Sequence, residues 1–182
     1  MEATREILML CGSLRTASSN SALLRTARAL VPDGFSAHYY EGMDTLPHFN
    51  PDLDRDPLPA AVADFRERLA GAAAILICTP EYAGALPGSF KNLLDWTVGG
   101  VEIEKPTAWI NVSSSSTRAA DAHASLRKVL NYTGAIIVED ACAHIPVRSD
   151  MIDGGLIIDR EVRERVATAL ATLAAHAVAV TT

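Results

Sequence analysis

Four short runs, EILMLC (6–11), AAILICT (73–79), TAWINV (107–112) and AIIVED (135–140), are nearly continuous in apolar side chains. Strands buried on both faces need this composition, and such strands belong to parallel sheets covered by helices. Between the runs, Leu23, Ala27 and Leu30 repeat at helical spacing, as do Val62, Phe65 and Leu69, then Phe90, Leu93 and Leu94, and then Leu126, Val129 and Leu130. FSAHYYE (35–41) is more mixed and reads as a strand nearer an edge, and a last helix is predicted from about Asp159 to Ala179. The order is (βα)₅, which right-handed crossovers fold into a three-layer α/β sandwich, a five-stranded parallel doubly wound sheet. Ligands of such sheets sit beyond the carboxyl ends of the strands, where the winding reverses.

With 182 residues, 49% of them hydrophobic, the chain has the size and apolar content of one domain, assigned to residues 1–182. Its 16 Lys and Arg against 22 Asp and Glu give a net charge of −6, with no basic run. A nucleic-acid or anionic-membrane partner is disfavoured, and a small molecule is expected. MEATREILML lacks the features of a cleavable signal and no apolar run approaches a membrane span, so a cytoplasmic protein is expected. Cys11, Cys78 and Cys142 follow no metal-ligand spacing and read as buried reduced thiols, and the five histidines are scattered. No metal site is expected.

CGSLRTASSNSALL (11–24) follows the first strand and so lies at the expected crevice. It offers amides, hydroxyls and a guanidinium where a helix begins, a setting that attracts phosphate. A dinucleotide fingerprint needs three glycines, and only Gly12 is present. A nucleoside-triphosphate loop needs a lysine, and none precedes Phe90. A phosphatase C-x₅-R loop needs an arginine where Ala17 stands. Two readings stay open for the stretch alone: an FMN phosphate held by Ser13, Arg15, Ser18, Ser19 and Asn20, or a plain helix cap at Ser18, Ser19 or Asn20.

The second informative stretch, TPEYAGALPGSFKNLLDW (79–96), follows the third strand. Together with GSLRTASSN it resembles the NADPH-dependent FMN reductase family, a flavodoxin-like group that includes quinone, chromate and azo reductases. The likeness continues through LRKVLNYTGA (126–135) and the loop DMIDGGLI (150–157). It implies a flavodoxin-like strand order 2-1-3-4-5, with Ser13, Arg15, Ser18, Ser19 and Asn20 on the FMN phosphate and ribityl chain. Pro80, Glu81, Tyr82 and Ala83 would run along the flavin ring, and Ser113 would sit near its pyrimidine edge. Gly84 and Arg118 are candidates for the substrate or NADPH.

No protein nucleophile is then needed, because FMN carries the chemistry: NADPH or NADH gives two electrons, and a quinone, free flavin, nitro or azo compound or metal oxyanion takes them in a ping-pong cycle. The alternatives are a flavodoxin-like one-electron carrier and a non-catalytic flavin-binding redox module. The resemblance also implies a homodimer or homotetramer, with Phe90, Leu94 and Trp96 as apolar contact surface. PHFNPDLDRDPLPAAV (47–62) is a long connection, a candidate substrate rim. Two departures stand out. Ala83 replaces an asparagine of the family's PEYN, which predicts a more open pocket, and Arg118-Ala119 replace a Gly-Gly pair that many relatives carry.

Overall fold

The computed structural model describes residues 4–98 and 103–179. The first three residues of the amino-terminal stretch and the last three of the assigned domain lie outside them. Five helices, α1 (Ser19–Arg28), α2 (Ala60–Gly71), α3 (Gly88–Asp95), α4 (Ala120–Tyr132) and α5 (Arg160–Ala179), cover a parallel sheet on both faces. Its strands β1 (Arg5–Cys11), β2 (Phe35–Tyr39), β3 (Ala74–Cys78), β4 (Pro106–Asn111) and β5 (Ile136–Ile137) take the order β2-β1-β3-β4-β5. The expected strand order is therefore observed.

Alternation along the strands splits the core into two layers. Ile7, Met9, Leu76, Cys78 and Ile110 face α1 and α5, where they meet Leu23, Leu24, Val166 and Leu170. Leu8, Leu10, Ile75, Ile77 and Trp109 face the other way, onto Phe65, Phe90, Leu94 and Leu126. The helix after β1 and the helix after β3 thus go to opposite faces, which opens a crevice beyond the ends of these neighbouring strands.

The fifth strand departs from expectation. AIIVED is not one strand: β5 covers Ile136–Ile137, a 3₁₀ turn occupies Glu139–Ala141, and a second segment, β6 (Ala143–His144), pairs with β4 again. Glu139 and Asp140 are exposed, and Glu139 forms an ion pair with Arg127 of α4, so the acidic pair bends the edge outward instead of entering the ladder. Pairing then resumes through Ile145 N–H to Asn111 O and Val147 N–H to Val112 O. DMIDGGLI also folds beyond a plain loop, into a small antiparallel hairpin of β7 (Ile152–Asp153) and β8 (Leu156–Ile157) that bonds to Thr26 of α1.

Two further expectations are corrected. Phe90, Leu94 and Trp96 are fully buried in the monomer core and offer no contact surface to a second copy. The 47–62 connection packs on α3: Pro47 O accepts from Asn92 Nδ2 and Trp96 Nε1, and Phe49 N–H donates to Asn92 Oδ1. An Arg66–Asp54 ion pair at 2.7 Å secures its far end. It forms no part of the crevice described next.

Candidate active site

Gly12 ends β1 under a steric demand. A Cβ there would lie 2.0 Å from Thr79 Oγ1 and 2.5 Å from Thr79 Cβ, so only glycine lets the loop cross the end of β3. Ser18 caps α1, its Oγ accepting from Asn20 N–H at 3.1 Å. Asn20 is fixed in turn, because its Oδ1 accepts from the Cys78 thiol at 3.2 Å. Burial pushes that thiol well above its ordinary pKa and keeps it a donor. The cap reading of Ser18 is therefore correct, and the loop retains a further donor set around it. Ser19 opens the helix, no acidic side chain occupies its first turn, and the exposed Arg15 forms no ion pair among the described residues. This is the electrostatic setting of an anion site.

The 79–85 segment forms the second wall. Tyr82 and Ala85 exchange two backbone hydrogen bonds, with Ala83 at φ 51° and Gly84 at φ 70° between them. Positive φ at both central residues is the type I′ hairpin pattern, which Asn-Gly suits best. This corrects the reading of Ala83 and Gly84, which form an exposed turn tip and do not line the crevice. Asparagine adopts this turn conformation more readily than the alanine found here.

The third wall is the loop after β4. Asn111 holds it at both ends, accepting from Ser113 N–H and donating to Arg118 O. Ser113, Ser115 and Thr117 form a hydroxyl chain, at 2.8 and 3.1 Å. Arg118 and Ala119 lie at φ 55° and 51°. With Ala83 they are the three positive-φ residues other than glycine among the described residues. Ala119, at the N-cap position of α4, has no side-chain cap to offer. Glu81 supplies one from the second wall, its Oε2 accepting from Ala122 N–H at 3.0 Å. His123 donates through Nδ1 to Ala119 O at 2.8 Å, while its Nε2 is buried without a partner. Burial lowers the His123 pKa, opposed by the Ala119 carbonyl and the Glu81 carboxylate.

The three walls enclose a cleft of about 470 Å³, within the range of small-molecule sites. Ser13, Arg15, Ser18, Ser19, Asn20, Pro80, Glu81, Tyr82 and Ser113 all line it. Arg118 does not, and points to a neighbouring cavity. Thr79, Val112, Ser114, Ser115, Thr117, Ala119 and Val147 complete the lining, and of these only Ala119 is singled out from sequence. The SSSST run carried the signal for three of them, whereas Val147 arrives only because pairing resumes after the broken edge strand. No cluster of metal-ligating side chains occurs among the described residues, and no helix there is long and apolar enough to cross a membrane. A helix N-terminus with hydroxyls and the Arg15 guanidinium beside it suits a phosphate monoester, and the half-exposed Tyr82 leaves one side open for a flat ring system.

Comparison with known proteins agrees with this geometry. The family model for NADPH-dependent FMN reductase matches residues 5–148. The chain is 32% identical over 172 residues to an NAD(P)H-dependent FMN reductase of Pseudomonas aeruginosa, covering 92% of each chain. It is 31% identical to a 2-hydroxy-1,4-benzoquinone reductase of a Burkholderia species, over 90% of this chain and 91% of that one. Among solved structures, FerB, a flavoenzyme NAD(P)H:(acceptor) oxidoreductase from Paracoccus denitrificans, superimposes with a TM-score of 0.80 at 27% identity, covering 94% of this chain and 98% of that one. The chain belongs to the NADPH-dependent FMN reductase family and is an oxidoreductase that uses FMN and NAD(P)H.

Proposed function

We propose that the cleft holds FMN and serves a ping-pong reductase in which NAD(P)H and a small acceptor occupy one place in turn. The observation that carries this reading is the union, in one cleft, of the acid-free α1 N-terminus and Arg15 with the Pro80–Tyr82 wall. Bound FMN supplies two-electron chemistry, accepting a hydride equivalent and passing the electrons on. The protein's part is to bind and orient. Arg15, Ser13 and Ser19 hold the phosphate together with the first-turn amides of α1, and Ser18 and Asn20 fix that turn. Pro80 and Glu81 hold the ring's wall rigid, and Ser113 offers a hydroxyl at its polar edge. Tyr82, 51% exposed, leaves the other face accessible to a stacking substrate.

Quinones are the favoured acceptor class, since several relatives are named quinone reductases. The other acceptors expected from the resemblance share the same requirement for a flat or compact oxidant. A one-electron carrier is less well supported, because a cation in the phosphate loop favours a doubly reduced, negatively charged cofactor. A cytoplasmic location fits the three free thiols. We also propose a homodimer or homotetramer in which a second copy covers the exposed Leu14; sedimentation as a monomer would contradict it.

Anaerobic mixing of the FMN-loaded protein with NADPH or NADH tests the reading. Loss of flavin absorbance, followed by its return on adding a quinone, is expected. A flavin that stays oxidised with both donors would overturn the proposal.

A further inference from the structure

Beside the flavin cleft lies a second cavity of about 680 Å³, and Ser113, Ser114 and Ser115 form the ridge common to both. Its other residues include Arg118, Arg148, Arg165 and His144, and no carboxylate lines it. In a chain of net charge −6, three guanidiniums around one carboxylate-free cavity mark a local reversal of sign.

The three arginines differ in what already engages them. Arg148 pairs with Asp150 at 2.9 Å, both side chains exposed. Arg165 donates to the backbone carbonyl of His144 at 2.7 Å and has no carboxylate partner. That carbonyl belongs to the residue whose Nε2 donates to Ser113 O, so Arg165 and His144 together fix the ridge. Among the described residues the Arg118 side chain has neither an ion pair nor a hydrogen bond, and its backbone sits at φ 55°. A left-handed conformation is unfavourable for a non-glycine residue. A long cationic side chain held there, unpaired and facing a cation-lined cavity, points to a ligand that repays the strain.

We propose that this cavity is an anion subsite for the 2′-phosphate of NADPH, with Arg118 as the residue that sets preference for NADPH over NADH. The inference rests on the reading of the first cleft as the place where a nicotinamide meets the flavin. A dinucleotide whose nicotinamide lies in that cleft and whose chain crosses the serine ridge brings its adenosine end into the second cavity. The 2′-phosphate is a dianionic monoester, and planar guanidiniums recognise it by paired, charge-assisted hydrogen bonds. NADH has only a neutral hydroxyl at that position and makes no such contact.

The test is a binding titration of the FMN-loaded protein with the non-reducing ligands NADP⁺ and NAD⁺ at low salt. NADP⁺ is expected to bind roughly tenfold or more tightly than NAD⁺, the lower end of the range for a charge-assisted contact. Adenosine 2′,5′-bisphosphate should displace it, and adenosine 5′-monophosphate should not. Arg118→Gly is the informative variant, since it removes the charge and relieves the backbone together. Its unfolding midpoint should stay the same or rise, while the NADP⁺ to NAD⁺ ratio falls to within about twofold of one by loss of NADP⁺ affinity alone. Equal affinities in the unsubstituted protein, a ratio that survives Arg118→Gly, or a parallel loss for both ligands would overturn the subsite. If NADPH and NADH still bleach the flavin alike, the reductase reading stands without it; if neither binds or bleaches, both fall.

Discussion

The Glu81 carboxylate accepts a hydrogen bond from the amide of Ala122, at 3.0 Å and 41 residues along the chain. It thereby caps α4 from outside and ties the wall after β3 to the wall after β4. Glu81→Ala should destabilise the fold by about 1 kcal/mol, the usual loss for a helix cap. It should also weaken FMN binding, because the two walls are no longer held in register, and Glu81→Gln, which keeps an acceptor, should do less of both. Thermal unfolding of the FMN-free protein and an FMN titration measure the two effects; FMN affinity unchanged in Glu81→Ala would show that the walls are positioned independently.

At the hairpin tip the strain is removable. Ala83→Gly and Ala83→Asn should each stabilise the protein, Gly by about 1 kcal/mol, since both residues accept φ near 51° more readily than alanine. FMN affinity should not move, because position 83 lies outside the cleft. Urea unfolding measures the gain, and a stability loss in both variants would mean that the turn conformation is misassigned.

Arg15 brings an exposed guanidinium to the cleft beside the α1 N-terminus. Arg15→Ala should raise the FMN dissociation constant roughly tenfold or more, and Arg15→Lys, which keeps the charge but not the fork, should fall between. Fluorescence quenching of free FMN follows the titration. Unaltered affinity in Arg15→Ala would place the guanidinium away from the phosphate.

His123 gives the fold a pH dependence of definite sign. Burial holds its folded-state pKa below the ordinary 6.5, so below about 6.5 the unfolded chain binds a proton that the folded protein refuses. The contribution to stability is complete above that value and declines as the pH falls toward the lowered folded pKa. His123→Gln should flatten the fall in unfolding temperature between neutral pH and about pH 5. An unchanged slope would show that other groups set it.

Steady-state rates with NADPH and a small quinone should give parallel double-reciprocal lines, as one cleft serves both in turn. Intersecting lines would indicate that donor and acceptor are bound together.

The sheet order and five helices were legible because β1, β3 and β4 are buried on both faces and their runs carry little else. The fifth strand was not legible for a physical reason: Ile136, Ile137 and Val138 look like core, but at an edge the following Glu139 and Asp140 decide the path. Ser18 illustrates a different limit, since a cap and a ligand contact use the same hydroxyl and only Asn20 N–H at 3.1 Å identifies the cap. Glu81 and Ala122 could not be paired from sequence, because nothing local announces a cap supplied from 41 residues away. Ala83 sits at positive φ in a tight turn, a conformation that an alanine in the sequence does not announce.

The broken outer edge also bears on how copies of the chain can meet. An unbroken edge strand is a row of unpaired amides and carbonyls on which another sheet can grow. Here that row is cut into two-residue pieces by a turn bearing Glu139 and Asp140, each piece too short to seed a neighbour and separated by negative charge. Sheet extension, and with it fibrillar growth, is closed to the folded protein from this side, so that assembly through the sheet has only the opposite edge, β2, to use.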